Sequence, residues 1–155
     1  MENARLKAVA ASGDGLAIAS DGGIQIPALG PTWNGLFTAR AAGPDADDGT
    51  RAEHLLTLMQ GQSNRRILWT EAVALAEGGK LLESWDEAGN EGVLTETYDP
   101  ANAVPGFWVY RLWFYPGLGK RYVDLSSEEL DRVDLTWGRL KEQVQAFFRG
   151  QRGAS

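Results

Sequence analysis

The side chains able to do chemistry are few. The chain has no cysteine and a single histidine, His54. Thiol nucleophiles are therefore excluded, and a serine–histidine pair would have only His54 as its base. Nothing around His54 resembles a nucleophile elbow. A histidine metal site normally recruits further histidines or cysteines, so His54 reads as a surface or structural residue. Carboxylate chemistry remains, with Glu53, Glu71, Glu83, Glu96 and Asp99 as nominal candidates. Such chemistry needs two carboxyls to converge within about 10 Å of each other. No catalytic residue is assigned on this basis, and the expectation leans against an enzyme.

The aspartates Asp45, Asp47 and Asp48 sit in a loop, 43–50, and invite a calcium reading. Counted from Asp45, however, the sixth residue is Thr50 and the twelfth is Leu56, where an EF-hand needs glycine and glutamate. The loop reads as solvated, with a looser surface calcium site as the alternative. The glycine-rich stretches 12–15, 20–23 and 117–120 are not followed by helix starts or a Gly-Lys-Ser signature, so they read as hairpin turns rather than phosphate cradles. No metal and no cofactor are expected.

The segment 81–105 carries six acids, Glu83, Asp86, Glu87, Glu91, Glu96 and Asp99, with Trp85 and Tyr98 interleaved and no lysine or arginine. Aromatic anchors ringed by charge can hold a basic partner. These eight residues form the expected binding surface.

The elements that would position them follow from pattern. A chain of 155 residues with 43% hydrophobic and 23% charged content reads as one domain over 1–150, with a flexible tail at 151–155. The run Gly106–Tyr115 is apolar on both alternating faces apart from Arg111. It predicts a long central strand covered front and back, with Arg111 buried against a carboxylate. Short strands are expected at 6–11, 16–19, 23–26 and 35–41, and another at 67–76. Arg51–Met59 suits a strand or, through a Thr50/Glu53 capping box, a helix. A hairpin is expected around Glu87–Asn90. Ser126 and Glu129 form a capping box for a helix over 126–149, whose stripe Leu130, Val133, Trp137, Leu140, Val144 and Phe147 recurs at intervals of three and four.

The predicted fold class is α+β, mainly β: an antiparallel meander or sandwich-like sheet with one C-terminal amphipathic helix packed on it. Net charge is −6, and no apolar run reaches membrane-spanning or signal-peptide length. Nucleic acid and membrane are therefore not expected as partners. The absence of cysteine suits a bacterial cytoplasmic protein. The composite expectation is a noncatalytic module binding a basic protein, an acidic inhibitor or immunity-type protein. The alternatives are a small-ligand-binding β protein, or a structural component of a phage or secretion assembly. The helix stripe also offers a homodimer seam.

Overall fold

The computed structural model describes residues 2–35, 41–99, 101 and 105–152. The fold is α+β. Among the described residues, five strands lie in the order β1-β2-β3-β4-β5, accompanied by four α-helices. Helix and strand share the chain, so the sheet is not the dominant component that was expected.

The first helix, α1 (Glu2–Ser12), occupies the stretch expected to begin with a strand. Its alanines favour helix, and Ala4 and Ala8, one turn apart, pack against Ala72, Ala74 and Ala76. Small residues on both sides let helix and strand approach closely. Ser12 ends the helix: its hydroxyl donates to the Val9 carbonyl and accepts the Gly79 N–H. Strand β1 (Leu16–Gln25) then runs straight through the expected turn at 20–23. Neither Gly22 nor Gly23 adopts the positive φ that such a turn requires.

Strand β2 (Arg66–Glu77) matches its prediction. Gly78 and Gly79, at φ 55° and 75°, make the tight turn into β3 (Lys80–Leu94). The hairpin placed at 87–90 is absent: β3 continues through it, and Gly89 is not among the positive-φ glycines. Strand β4 (Trp113–Tyr115) pairs antiparallel with β3, Val93 opposite Phe114, and β5 (Lys120–Arg121) completes the sheet.

The aromatic run is a turn of 3-10 helix, Trp108–Arg111, followed by the short β4, not one long strand. The Tyr110 and Leu112 N–H groups donate to the carbonyls three residues back. When every position is apolar, alternation carries no information about period. Trp108, Val109, Leu112, Trp113 and Tyr115 are buried as expected, but Phe107 is 53% exposed.

Helix α2 (Asp48–Leu58) resolves the ambiguous 51–59 segment in favour of helix. Its cap is Asp47, whose carboxylate accepts the Thr50 N–H at 2.7 Å, rather than Thr50. The Ser126–Glu129 capping box forms reciprocally, at 2.9 and 3.3 Å. The single helix expected after it is two: α3 (Ser127–Val133) and α4 (Thr136–Arg152), separated at Asp134–Leu135. The break rotates the apolar stripe, leaving Trp137 49% exposed while Leu140 is fully buried. Most of the strand expected at 35–41 and the end of the tail lie outside the described residues.

By contacts the chain forms two compact units. The first comprises residues 1–22, 70–90 and 134–155; its alanine layer joins α1 to β2, and Trp85 of β3 meets Phe147 of α4 edge-on at 5.9 Å. The second comprises 23–69 and 91–133. Its larger core gathers Ile24, Leu55, Met59, Ile67, Leu94, Trp108, Leu112 and Trp113.

Candidate functional site

Within the first unit, α1 and β1 bring Lys7 and Asp21 together. Lys7 Nζ donates to an Asp21 carboxylate oxygen and, at 3.2 Å, to the Ser20 carbonyl. The Lys7 side chain is 55% exposed, whereas that of Asp21 is only 13% exposed. A sheltered carboxylate thus holds an ammonium toward solvent. Lys7 stands one residue before Ala8, which is buried, so the helix face that packs on β2 also sets the reach of the lysine. Such a pair can meet a phosphate with its cation and a water proton or a hard metal ion with its carboxylate.

Within the second unit, the 3-10 turn builds an aromatic stack. Phe107 lies on Tyr110, at 5.6 Å and 20° between planes, and Tyr110 lies on Tyr122, at 4.0 Å and 14°. Phe107 is the outer, exposed member. A flat aromatic face open to solvent and braced from behind is a platform on which a heteroaromatic base can stack.

The predicted site residues are dispersed. Glu83 and Asp86 are exposed on β3, and Trp85 is half-buried against Phe147. Glu87 accepts from Gln143 at 2.7 Å and faces Arg139 at 3.6 Å. Glu91 takes both donors of the Arg66 fork, and these hydrogen bonds hold its carboxyl below the usual range. Glu96 lines a cavity of about 340 Å³ with Leu56, Met59, Gln60, Gln62 and Ser63. Arg65 also borders that cavity, and its Nε, Nη1 and Nη2 each donate to a backbone carbonyl, of Leu94, Met59 and Thr95 respectively. Tyr98 packs against the second core, and burial foremost pushes its phenol upward. Asp99 accepts the Ala101 N–H and faces Arg121 at 3.8 Å. Most of these acids are committed to local partners, and they divide between the two units.

Of the other candidates, Glu53 is exposed on α2 and Glu71 is buried in β2. Asp47 caps α2, and Asp48 bonds Arg51 and the Gly106 N–H. Arg111 is 7% exposed, as expected of a buried residue, yet no ion pair with a carboxylate forms among the described residues. Lys7 and Asp21 went unrecognised because the stretches holding them suggested a strand and a turn. The spacing of Ala4 and Ala8 was the available signal for a helix.

A family model described as the Ham1 family matches residues 1–135. The chain is 34% identical over 152 residues to a dITP/XTP pyrophosphatase of Gloeobacter violaceus, covering 96% of this chain and 73% of that one. It is 31% identical over 117 residues to a dITP/XTP pyrophosphatase of Leptospira interrogans, covering 76% of this chain and 57% of the relative. Among solved structures it resembles the Ham1 protein of Staphylococcus aureus, with TM-score 0.76 and 26% identity over 97% of this chain and 76% of the other. A HAM1 protein of Coxiella burnetii, at 24% identity and TM-score 0.77 over 96% of this chain and 76% of the other, shares the fold.

These likenesses overturn the expected noncatalytic protein-binding module, whether inhibitor, immunity protein or assembly component. Relatives matched along most of the chain are named as enzymes acting on nucleotides, not as binders of a protein partner. The expectation weighted acids that were close in sequence. The pair best suited to phosphate chemistry is 14 residues apart and is assembled only by the fold.

Proposed function

Because the chain belongs to the Ham1 family, we propose that it hydrolyses a phosphoanhydride bond in a nucleoside triphosphate of the dITP/XTP kind. The observation that carries this reading is the 34% identity, maintained over 152 residues, to an enzyme of that name. The Lys7–Asp21 pair supplies groups of the right chemistry. Lys7, the exposed member, neutralises phosphate oxygens, and a positioned cation of this sort stabilises charge that grows at a leaving phosphate. Asp21 orients the ammonium and can accept a proton from the attacking water.

Phosphoryl transfer commonly enlists magnesium, held by one or two carboxylates together with the substrate's own phosphates. The described residues contain no cluster of three potential ligands, and Asp21 fits that sparse donor set. When bound, the ion would neutralise phosphate charge. In this reading α4 covers the β3 face carrying Trp85 and Glu87 and contributes no reacting group. A cytoplasmic site of action agrees with substrates of this class; no helix among the described residues is long and apolar enough to cross a membrane.

The test is turnover of dITP and XTP, with ATP and dGTP as comparisons, following inorganic phosphate and pyrophosphate separately. Asp21→Asn and Lys7→Gln should each lower kcat by about 100-fold or more, the scale on which positioned proton acceptors and charge stabilisers act. Thermal midpoints close to the parent's would show that the fold survives. Full activity in both variants, or no hydrolysis by the parent, refutes the reading.

A further inference from the structure

The cavity of about 340 Å³ in the second unit takes no part in the proposed hydrolysis. Its volume lies at the lower end of the range for small-molecule sites, about 300–1,000 Å³. Separate stretches of chain build it. The end of α2 gives Leu56 and Met59, the turn that follows gives Gln60, Gln62 and Ser63, and Glu96 comes from just beyond β3. Arg65 fastens these stretches together. Its Nη1 donates to the Met59 carbonyl at 3.3 Å, while Nε and Nη2 donate to the Leu94 and Thr95 carbonyls at 2.8 and 2.6 Å. Thr95 precedes Glu96, so the same clamp fixes the backbone that carries the carboxylate.

A guanidinium has five N–H donors. Three are used in this clamp, which leaves one on each Nη. The cavity is thus lined by one cation and one anion that do not satisfy each other. Among the described residues no ion pair joins Arg65 to Glu96. Nor do the Glu96 carboxylate, the Gln60 and Gln62 amides or the Ser63 hydroxyl make a hydrogen bond among those residues. An anion alone would meet the Glu96 carboxylate, and a cation alone would meet the guanidinium. A ligand carrying both charges can answer each with its opposite. A hard metal ion fits poorly, because one carboxylate is far short of the oxygen ligands it collects. Leu56, half-buried, and Met59, fully buried, offer an apolar floor that suits an alkyl group.

We propose that this cavity binds a small zwitterion of the α-amino acid kind with an apolar side chain. Its ammonium lies on Glu96, its carboxylate on the unused N–H groups of Arg65, and its alkyl group on Leu56 and Met59. The site does not depend on the nucleotide reading, and its test uses no nucleotide.

The test is titration calorimetry and thermal unfolding of the full chain with three probes of one shape. L-Leucine carries both charges, leucinamide keeps the ammonium alone, and N-acetyl-leucine keeps the carboxylate alone. With leucine at about 100 times its dissociation constant, the midpoint should rise by roughly 5–10 °C. Each blocked analogue should bind about tenfold or more weakly, the loss expected for a charge-assisted hydrogen bond. These analogues test the Arg65 contact without breaking the clamp that Arg65 provides. Glu96→Gln should weaken leucine by about tenfold or more and leave N-acetyl-leucine little changed. Its midpoint without ligand should match the parent's, because Glu96 is exposed and holds nothing in place. No binding of leucine, a blocked analogue bound as tightly as leucine, or full leucine affinity in Glu96→Gln overturns the proposal.

Discussion

Gly92 tests the packing of the second core most directly. It lies in β3 beside β4, where a Cβ would come within 2.1 Å of Trp113 Nε1, 2.4 Å of Trp113 Cδ1 and 2.9 Å of the Phe114 carbonyl oxygen. Carbon–carbon contact is comfortable at about 3.5–4.0 Å, so the added carbon intrudes by more than about 1 Å on the Trp113 ring and by about 0.6 Å on the Phe114 oxygen. Trp113 is fully buried and the Phe114 oxygen belongs to the paired strand, so neither can swing away like the end of an exposed side chain. Overpacking of this kind costs about 1–3 kcal/mol, and two rigid obstacles place Gly92→Ala near the upper limit. Alanine returns about 0.4–1 kcal/mol by restricting the unfolded chain. The net loss should be about 2–2.5 kcal/mol. At roughly 2–4 °C per kcal/mol for a chain of this length, the midpoint should fall by about 4–10 °C. Urea unfolding followed by tryptophan fluorescence measures it. Gly138→Ala in α4, where nothing lies within 4 Å of the added carbon, is the control and should gain up to about 1 kcal/mol. A Gly92→Ala protein as stable as its parent would mean that the Trp113 indole does not lie over Gly92.

Two further outcomes are expected. If the exposed Phe107 face stacks a base, Phe107→Ala should weaken binding of inosine by about 5- to 150-fold, because stacking on an aromatic is worth about 1–3 kcal/mol; an unchanged affinity would rule Phe107 out as a platform. Glu129, held by Lys120 and the Ser126 N–H, has its carboxyl lowered from 4.5 to about 2. A depressed folded-state pKa contributes stability that is present above pH 4.5 and lost as pH falls toward 2. Glu129→Gln should therefore be less stable than the parent at pH 7, with the difference closing across that window. A gap that persists at pH 2 would contradict the assignment.

What could be read from the chain alone was local. Ser126 and Glu129 are three residues apart, and their capping box closes within one helical turn, whatever surrounds it. Ile67–Ala76 is mostly apolar, β-branched at key places and bounded by polar residues, and it forms β2 as expected. The acidic charge and the absence of cysteine likewise come directly from composition.

The tertiary structure decided the rest, because distant partners outweighed local preference. Only packing separates a tight helical turn from a strand in 107–115, where Trp108, Val109, Leu112, Trp113 and Tyr115 are buried as a covered strand would bury them, but Phe107 is left exposed. Only β2, presenting alanines to Ala4 and Ala8, makes the N-terminal stretch a helix packed against the sheet, and that helix carries Lys7 to Asp21. Residue types are fixed along the chain, but the meeting of an ammonium and a carboxylate 14 positions apart depends on long-range contacts that no spacing rule encodes.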